Sequence, residues 1–222
     1  MLAINTKIEK IAGIGPKLAK RFKKLRIENV LDFFYHFPFR YDDFSKITPI
    51  SKTKTFGSYC IKAKILDIKT RRTPRKRMFL TTALLSDDSG SIKAIWYNQP
   101  FLTRILKKGQ KVMLAGKIEY GFGGTFFQNP SFEKASSETI HTGRIIPIYP
   151  ETRGVTSKWI RKIIASLMPS ISQVPDFLPK EIRNNQNLIG LDRALAQIHF
   201  PENRKEIYEA KMAKRNRTKN RT

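Results

Sequence analysis

From Phe56 onwards the apolar residues recur at every second position, whereas on either side of that stretch they recur with the three-to-four spacing of helices. Tyr59, Ile61, Ala63 and Ile65 alternate with polar residues. Short apolar runs follow at Phe79 to Leu85 and Ile92 to Tyr97, Val112 and Leu114 lead to Ile118, and Phe126 and Phe127 come just after Gly121-Phe-Gly-Gly124. This pattern predicts about five strands. The glycine-rich stretch reads as a hairpin turn, and Gln99 to Lys108, between the third and fourth strands, is long enough for one helix. Five strands with a helix between the third and fourth is the order of a small OB barrel, a fold that commonly binds single-stranded nucleic acid. The spacing alone also suits other small barrels.

The flanks give the chain its α+β class. Residues 1–55 predict two or three short helices, with Ile4, Ile8 and Ile11 on one face, then Leu18, Phe22 and Leu25, then Val30, Phe33, Phe34 and Phe37 before Pro38. After residue 140 the helical pattern returns. Tyr149 to Gly154 reads as a loop, Thr156 or Ser157 can cap a helix carrying Trp159, Ile163, Ile164 and Leu167, and a second helix runs from Leu191 to Ile198. The expected division is a helical segment 1–55, a barrel 56–135, a helical region 136–201 and a basic tail 202–222. With six cations, no acid and one Met between Ala210 and Thr222, that tail is expected to be a frayed helix end or disordered.

Charge narrows the partners. Lys and Arg outnumber Asp and Glu by 43 to 18, and the excess is spread as +7 over residues 1–55, +10 over 56–135 and +8 over 136–222. A polyanion is the natural ligand of such a chain. No apolar run approaches 18 residues and no signal-peptide pattern follows Met1, so a cytoplasmic protein is expected rather than a membrane one. The single cysteine, Cys60, excludes internal disulfides and Cys-based zinc sites and reads as a small strand residue.

Three groups of residues can meet a nucleic acid. In Ile11-Ala-Gly-Ile-Gly-Pro-Lys-Leu-Ala19, the form of a helix-hairpin-helix turn, Gly13 and Gly15 permit a tight turn, and free N–H groups at the next helix start can hold a phosphate beside Lys17 and Lys20. A plain turn between helices is the alternative. Lys69-Thr-Arg-Arg-Thr-Pro-Arg-Lys-Arg77 packs six cations into nine residues between the first two strands, where an OB barrel borders its ligand, so Arg71, Arg72, Arg75, Lys76 and Arg77 are candidates for gripping phosphates. Tyr97 and Phe101, four positions apart, can stack on bases. Alternation leaves Tyr97 ambiguous between ligand face and core, and Trp96 is expected against a flanking helix.

Catalytic equipment is missing from the sequence. No G-x-x-x-x-G-K-[ST] phosphate loop exists, and the nearest string, Gly109 to Lys117, has the wrong spacing. His36, His141 and His199 share no ligand spacing and are expected to be structural; no metal, cofactor or catalytic residue is assigned.

Six pieces occur in a fixed order: Ile14-Gly-Pro-Lys-Leu-Ala19, His36-Phe-Pro-Phe-Arg-Tyr-Asp42, Trp96-Tyr-Asn-Gln-Pro-Phe-Leu102, Asn129-Pro-Ser-Phe132, Ile148-Tyr-Pro150 and Ala196-Gln-Ile-His-Phe-Pro201. Together they resemble the N-terminal wedge region of the RecG branched-DNA helicases, over about residues 10–211. The resemblance implies an OB fold with helical flanks that splits the arms of a replication fork or Holliday-type junction in repair and recombination, with Tyr97 and Phe101 as the pair stacking at the branch point. Family members continue into two ATPase motor domains. The present sequence instead reads as a truncated or split protein, or a damaged frame, with ATP and magnesium entering through a separate motor chain. The expected partners are branched or single-stranded DNA, bound by a monomer. The alternative is an unrelated basic OB-fold RNA-binding protein, for instance one associated with ribosomes.

Overall fold

The computed structural model describes residues 2–74, 77–121, 123–135 and 142–219. In chain order its elements are α1 (Pro16–Lys23), α2 (Val30–Tyr35), β1 (Arg40–Asp43), β2 (Ser58–Arg72), β3 (Phe79–Asp87), β4 (Gly90–Tyr97), α3 (Leu102–Ile105), β5 (Lys111–Gly121), β6 (Gly124–Lys134), β7 (Ile145–Ile148), α4 (Ser157–Leu167), α5 (Lys180–Asn185), α6 (Leu191–His199) and α7 (Arg204–Lys219). They form two compact units, one of residues 1–42 with 145–222 and one of residues 43–144. No helix among the described residues is long and apolar enough to cross a membrane.

The second unit is a closed barrel in the order β2-β3-β4-β6-β5. All neighbours are antiparallel except β4 with β6, and α3 sits between the third and fourth barrel strands, which is the OB topology. Closure depends on β2, whose first half pairs with β5 and whose second half pairs with β3 across a register shift at Ile65/Asp67. Alternate residues point inward: Ile61, Ala63 and Ile65 of β2 meet Ala83 and Leu85 of β3, Ala94 and Trp96 of β4, Leu114 and Ile118 of β5, and Phe127 of β6. Leu102 and Leu106 join this core from α3 and its end. Gly123 and Gly124, both with φ near +100°, supply the left-handed turn that the β5–β6 hairpin requires. Cys60 is buried in β2, as a small strand residue should be.

Two features of the barrel strands depart from the sequence expectation. Lys69–Arg72 belong to β2 and are not loop, because a long curled strand can carry polar residues past the barrel wall. Trp96 lies in the barrel core, 1% exposed, rather than against a flanking helix: its Nε1 donates to the Pro130 carbonyl at 2.8 Å and its ring meets Phe132 edge-on.

The first unit holds a separate core. Phe22, Val30, Phe33 and Phe34 from α1 and α2 pack with Ile160, Ile164 and Leu167 of α4 and with Leu191 and Leu195 of α6. Local signals explain the boundaries. Asn29 accepts from the Asp32 N–H at 3.0 Å while Asp32 accepts from the Asn29 N–H at 3.1 Å, a capping box that starts α2. Thr156 caps α4 by accepting from the Trp159 N–H. Within the described residues the tail is helical: α7 packs on α6 with Ala210, Ala213 and Arg217 buried, whereas the sequence suggested a frayed end or disorder.

Four rings form a continuous stack in this unit: Phe37 on His199, His199 on Tyr149, and Tyr149 on His36, at centroid distances of 6.4, 5.8 and 6.0 Å. His199 is fully buried, accepts at Nδ1 from the Tyr149 hydroxyl and donates from Nε2 to the Phe34 carbonyl, both at 2.9 Å. His36 and His199 therefore have structural roles, while His141 lies outside the described residues. Burial pushes the His199 imidazole down to about 4 from an ordinary 6.5. The folded state thus keeps it neutral while the unfolded state takes up a proton below pH 6.5. Stability contributed by neutral His199 is complete above that pH and is lost as pH falls towards 4, by about 3 kcal/mol. Denaturant unfolding of the helical unit between pH 7 and 4 should show this slope, and His199→Gln should reduce it to the share of His36, whose imidazole burial also lowers.

Candidate nucleic-acid interface

In an OB barrel the second and third strands, with the loops after the first strand and between the fourth and fifth, form the ligand face. Here those strands are β3 and β4, and the registers align their outward residues in rows. Arg71, Leu80 and Tyr97 form one row, Lys69, Thr82, Ile95 and Gln128 the next, and Asp67, Leu84, Lys93 and Phe126 a third. Each row sets apolar or aromatic surface beside at least one cation, the combination that lets bases lie flat while phosphates are neutralised.

Tyr97 is the last residue of β4, and the chain leaves the barrel immediately after it. Asn98 has φ +55°, its N–H donates to the Phe79 carbonyl at 2.7 Å, and the Thr81 hydroxyl donates to the Gln99 carbonyl at 2.9 Å. This turn carries the chain into α3, where Leu102 plugs the barrel and the preceding Phe101 is left 51% exposed. Neither the Tyr97 nor the Phe101 ring packs against another ring among the described residues. Alternation resolves the Tyr97 ambiguity: with Ile92, Ala94 and Trp96 inside, Lys93, Ile95 and Tyr97 face outward.

A bulge in β6 positions this end of β4. Ala115 pairs with Ser131 but Lys117 with Gln128, so Asn129 and Pro130 oppose the single residue Gly116. Asn129 takes φ +43°, and a Cβ at Gly116 would approach the Pro130 Cα to 3.0 Å. The bulge aims two groups at neighbouring residues of β4: the Asn129 Oδ1 accepts from the Tyr97 N–H at 3.0 Å, and the Pro130 carbonyl accepts from Trp96. Bulges commonly re-aim groups beside functional sites in this way.

The basic stretch is divided. Arg71 lies in the Tyr97 row, and Arg72 donates from Nε to the Arg77 carbonyl at 3.2 Å with its guanidinium 5.8 Å from the Phe79 ring centre. Lys69 pairs with Asp67 at 3.7 Å, and Arg75 and Lys76 lie outside the described residues. Gly13, Gly15, Lys17 and Lys20 belong to the helical unit. Gly13 has φ +86°, Gly15 caps α1 with Pro16 in its first turn, and both lysines are exposed. The first arm of that hairpin is a single 3-10 turn, Ile8–Lys10.

Sequence reasoning missed Phe79, Leu80, Ile95, Lys93 and Phe126 as surface members of the barrel face. Lys93 carried the signal. A lysine in the middle of β4 must face water, which assigns Ile95 and Tyr97 to the same side.

Comparison with known proteins follows the same line. A family model described as the RecG wedge domain matches residues 7–171. The ATP-dependent DNA helicase RecG of Thermotoga maritima is 30% identical over 202 residues, covering 90% of this chain and 26% of that protein. The RecG of Bacillus subtilis is 28% identical, covering 95% and 30%. The chain thus spans between a quarter and a third of the length of these curated relatives. A solved structure of RecG bound to a three-way DNA junction superposes with a TM-score of 0.81 at 28% identity, over 96% of this chain and 29% of that one.

Proposed function

The chain belongs to the family of RecG wedge domains, and from that premise we propose that it binds branched DNA and holds the branch point open with Tyr97 and Phe101. The observation that carries the proposal is the turn at Asn98, which leaves an aromatic ring on each side of the barrel end, one at the close of β4 and one exposed before α3. Bases freed at a fork can stack on such rings, and Arg71, Arg72 and Arg77 in the adjoining row and loop can neutralise the phosphates beside them. The relative bound to a three-way junction supports a branched ligand. Gly13, Gly15, Lys17 and Lys20 would add a sequence-independent phosphate contact.

The module would act in the cytoplasm, in DNA repair and recombination, in concert with a helicase motor. ATP and Mg²⁺ would belong to that motor, because this sequence carries no phosphate loop of its own.

A three-way fork, plain duplex, single-stranded DNA and a structured RNA, titrated at one salt concentration, test the ligand; the fork should bind most tightly. Tyr97→Ala or Phe101→Ala should each cost about 1–3 kcal/mol of fork affinity, the range for base–aromatic stacking, while unfolding shifts by less than about 1 kcal/mol, as for surface changes. A double variant that melts normally and binds forks like the parent removes this site. Tightest binding to RNA overturns the DNA reading.

A further inference from the structure

The barrel carries a second basic surface that its aromatic end does not account for. Lys62 and Lys64 project from β2 and Lys111 from β5, and all three are exposed. Lys64 and Lys111 stand directly opposite each other in the antiparallel ladder, and Lys64 faces Ser86 on its other side. Like charges so placed repel. Other lysines on these strands have carboxylates to answer them, Lys69 with Asp67 and Lys117 with Glu119, but among the described residues no ion pair reaches Lys62, Lys64 or Lys111.

The surface is concave. The three lysines line one depression together with Leu66, Asp87 and Asp88, and Lys62 and Lys111 continue into an adjoining one with Gln110 and Lys134. Asp87 and Asp88 offset part of this charge, but the four lysines of the two depressions outnumber them, and the Asp87 carboxylate is tied to its own turn by the N–H groups of Ile50, Ser89 and Gly90 and the Ser89 hydroxyl rather than to a lysine. Among the described residues no aromatic ring lines either depression. Unpaired bases therefore have nothing to stack on, and a duplex presenting only phosphates is the polyanion that fits.

Position relates this surface to the branch point. From Leu80, paired with Tyr97, to Ser86, paired with Lys64, β3 advances six residues, about 20 Å, or about six steps of a duplex.

We propose that Lys62, Lys64 and Lys111 hold the phosphate backbone of one duplex arm of a branched DNA, about six base pairs from the branch. The inference rests on the junction-binding reading above and adds to it a requirement on arm length. Arms that end before this surface forgo its contacts, and longer arms gain them.

The full chain can be titrated, at one salt concentration, with three-way forks whose arms, closed by hairpin loops, have about four or about fourteen base pairs, on either side of the expected reach. The parent should bind the long-armed fork more tightly. Lys62→Gln, Lys64→Gln and Lys111→Gln combined should bind both forks alike, at the parent's short-arm affinity. On the long-armed fork its salt slope should fall by about 2.7, three phosphates at about 0.9 each. The corresponding triple Arg variant, which keeps the charge, should retain the preference. A parent that binds both forks equally well, or a folded Gln variant that still prefers long arms, overturns the inference and leaves the aromatic site standing. A parent that binds neither fork overturns both readings. If the Gln variant fails to fold, the parent's own response to arm length decides.

Discussion

Trp96→Ala is expected to cost the barrel about 3–5 kcal/mol of folding stability, the range for removing a large aromatic side chain from a packed core, and so to lower its unfolding midpoint more than Tyr97→Ala or Phe101→Ala. Trp96 is 1% exposed and fills the barrel among Leu102, Leu106 and Phe127. Truncation leaves a cavity and also strips the Pro130 carbonyl of its buried donor. Trp96→Phe separates the two losses. It keeps most of the apolar volume but cannot donate, and should cost about 1–3 kcal/mol, the desolvation penalty of an unsatisfied buried group. Denaturant unfolding of the four variants, followed by a signal from the barrel, gives the ranking. Fork affinity per folded molecule should be reduced in the Tyr97 and Phe101 variants and close to the parent's in Trp96→Phe. If Trp96→Ala unfolds with the Tyr97 variant, the inward assignment of Trp96 is wrong.

This contrast between neighbours shows how far the sequence can be read. The five barrel strands and the helix before β5 are visible because each strand is half-buried, and half-burial writes itself as alternation. The strand ends are less visible. Arg71 and Arg72 continue β2, but a strand that runs past the barrel wall has no inner face to fill with apolar residues. The pair β1 and β7 leaves almost no trace, since each is four residues long, β1 has Tyr41 as its one apolar ring among charged residues, and the partners are some hundred residues apart. At the candidate site the residue types were legible and their directions were not. Tyr97 needed Lys93 as a phase marker, and the role of Asn129 rests on a bulge in β6 opposite Gly116, where the Asn-Pro pair marks an irregularity but not the residue it will face. The residues proposed to meet bases and phosphates take their orientation from elsewhere in the barrel.

The second large effect is expected in the tail that composition suggested would fray. The buried face of α7 is made of Ala210, Ala213 and Arg217, too little apolar surface to register as a stripe. The helix is held instead by charge. Arg217 donates from Nε and Nη2 to the Asp176 carboxylate at 3.2 and 2.6 Å and from Nη2 to the Ile189 carbonyl, while Asp176 also accepts from the N–H groups of Leu178 and Leu191. Lys214 adds its ammonium 3.6 Å from the centre of the Phe37 ring. Asp176→Ala leaves the Arg217 cation buried without its partner and should cost about 3–5 kcal/mol. Arg217→Met should cost less, because Asp176 keeps Arg183 at 3.3 Å and both backbone donors. Burial alone would raise the Asp176 carboxyl, but the hydrogen bonds from Arg217, Leu178 and Leu191 hold it below its ordinary 3.8. Its contribution is therefore complete above that value and is lost as pH falls further, below the window in which His199 titrates. Unfolding of the helical unit should accordingly lose stability in two acid steps. The higher should shrink in His199→Gln to the share of His36, and the lower should weaken in Asp176→Ala. Acid steps of unchanged size in both variants would mean that neither His199 nor Asp176 links this unit to pH.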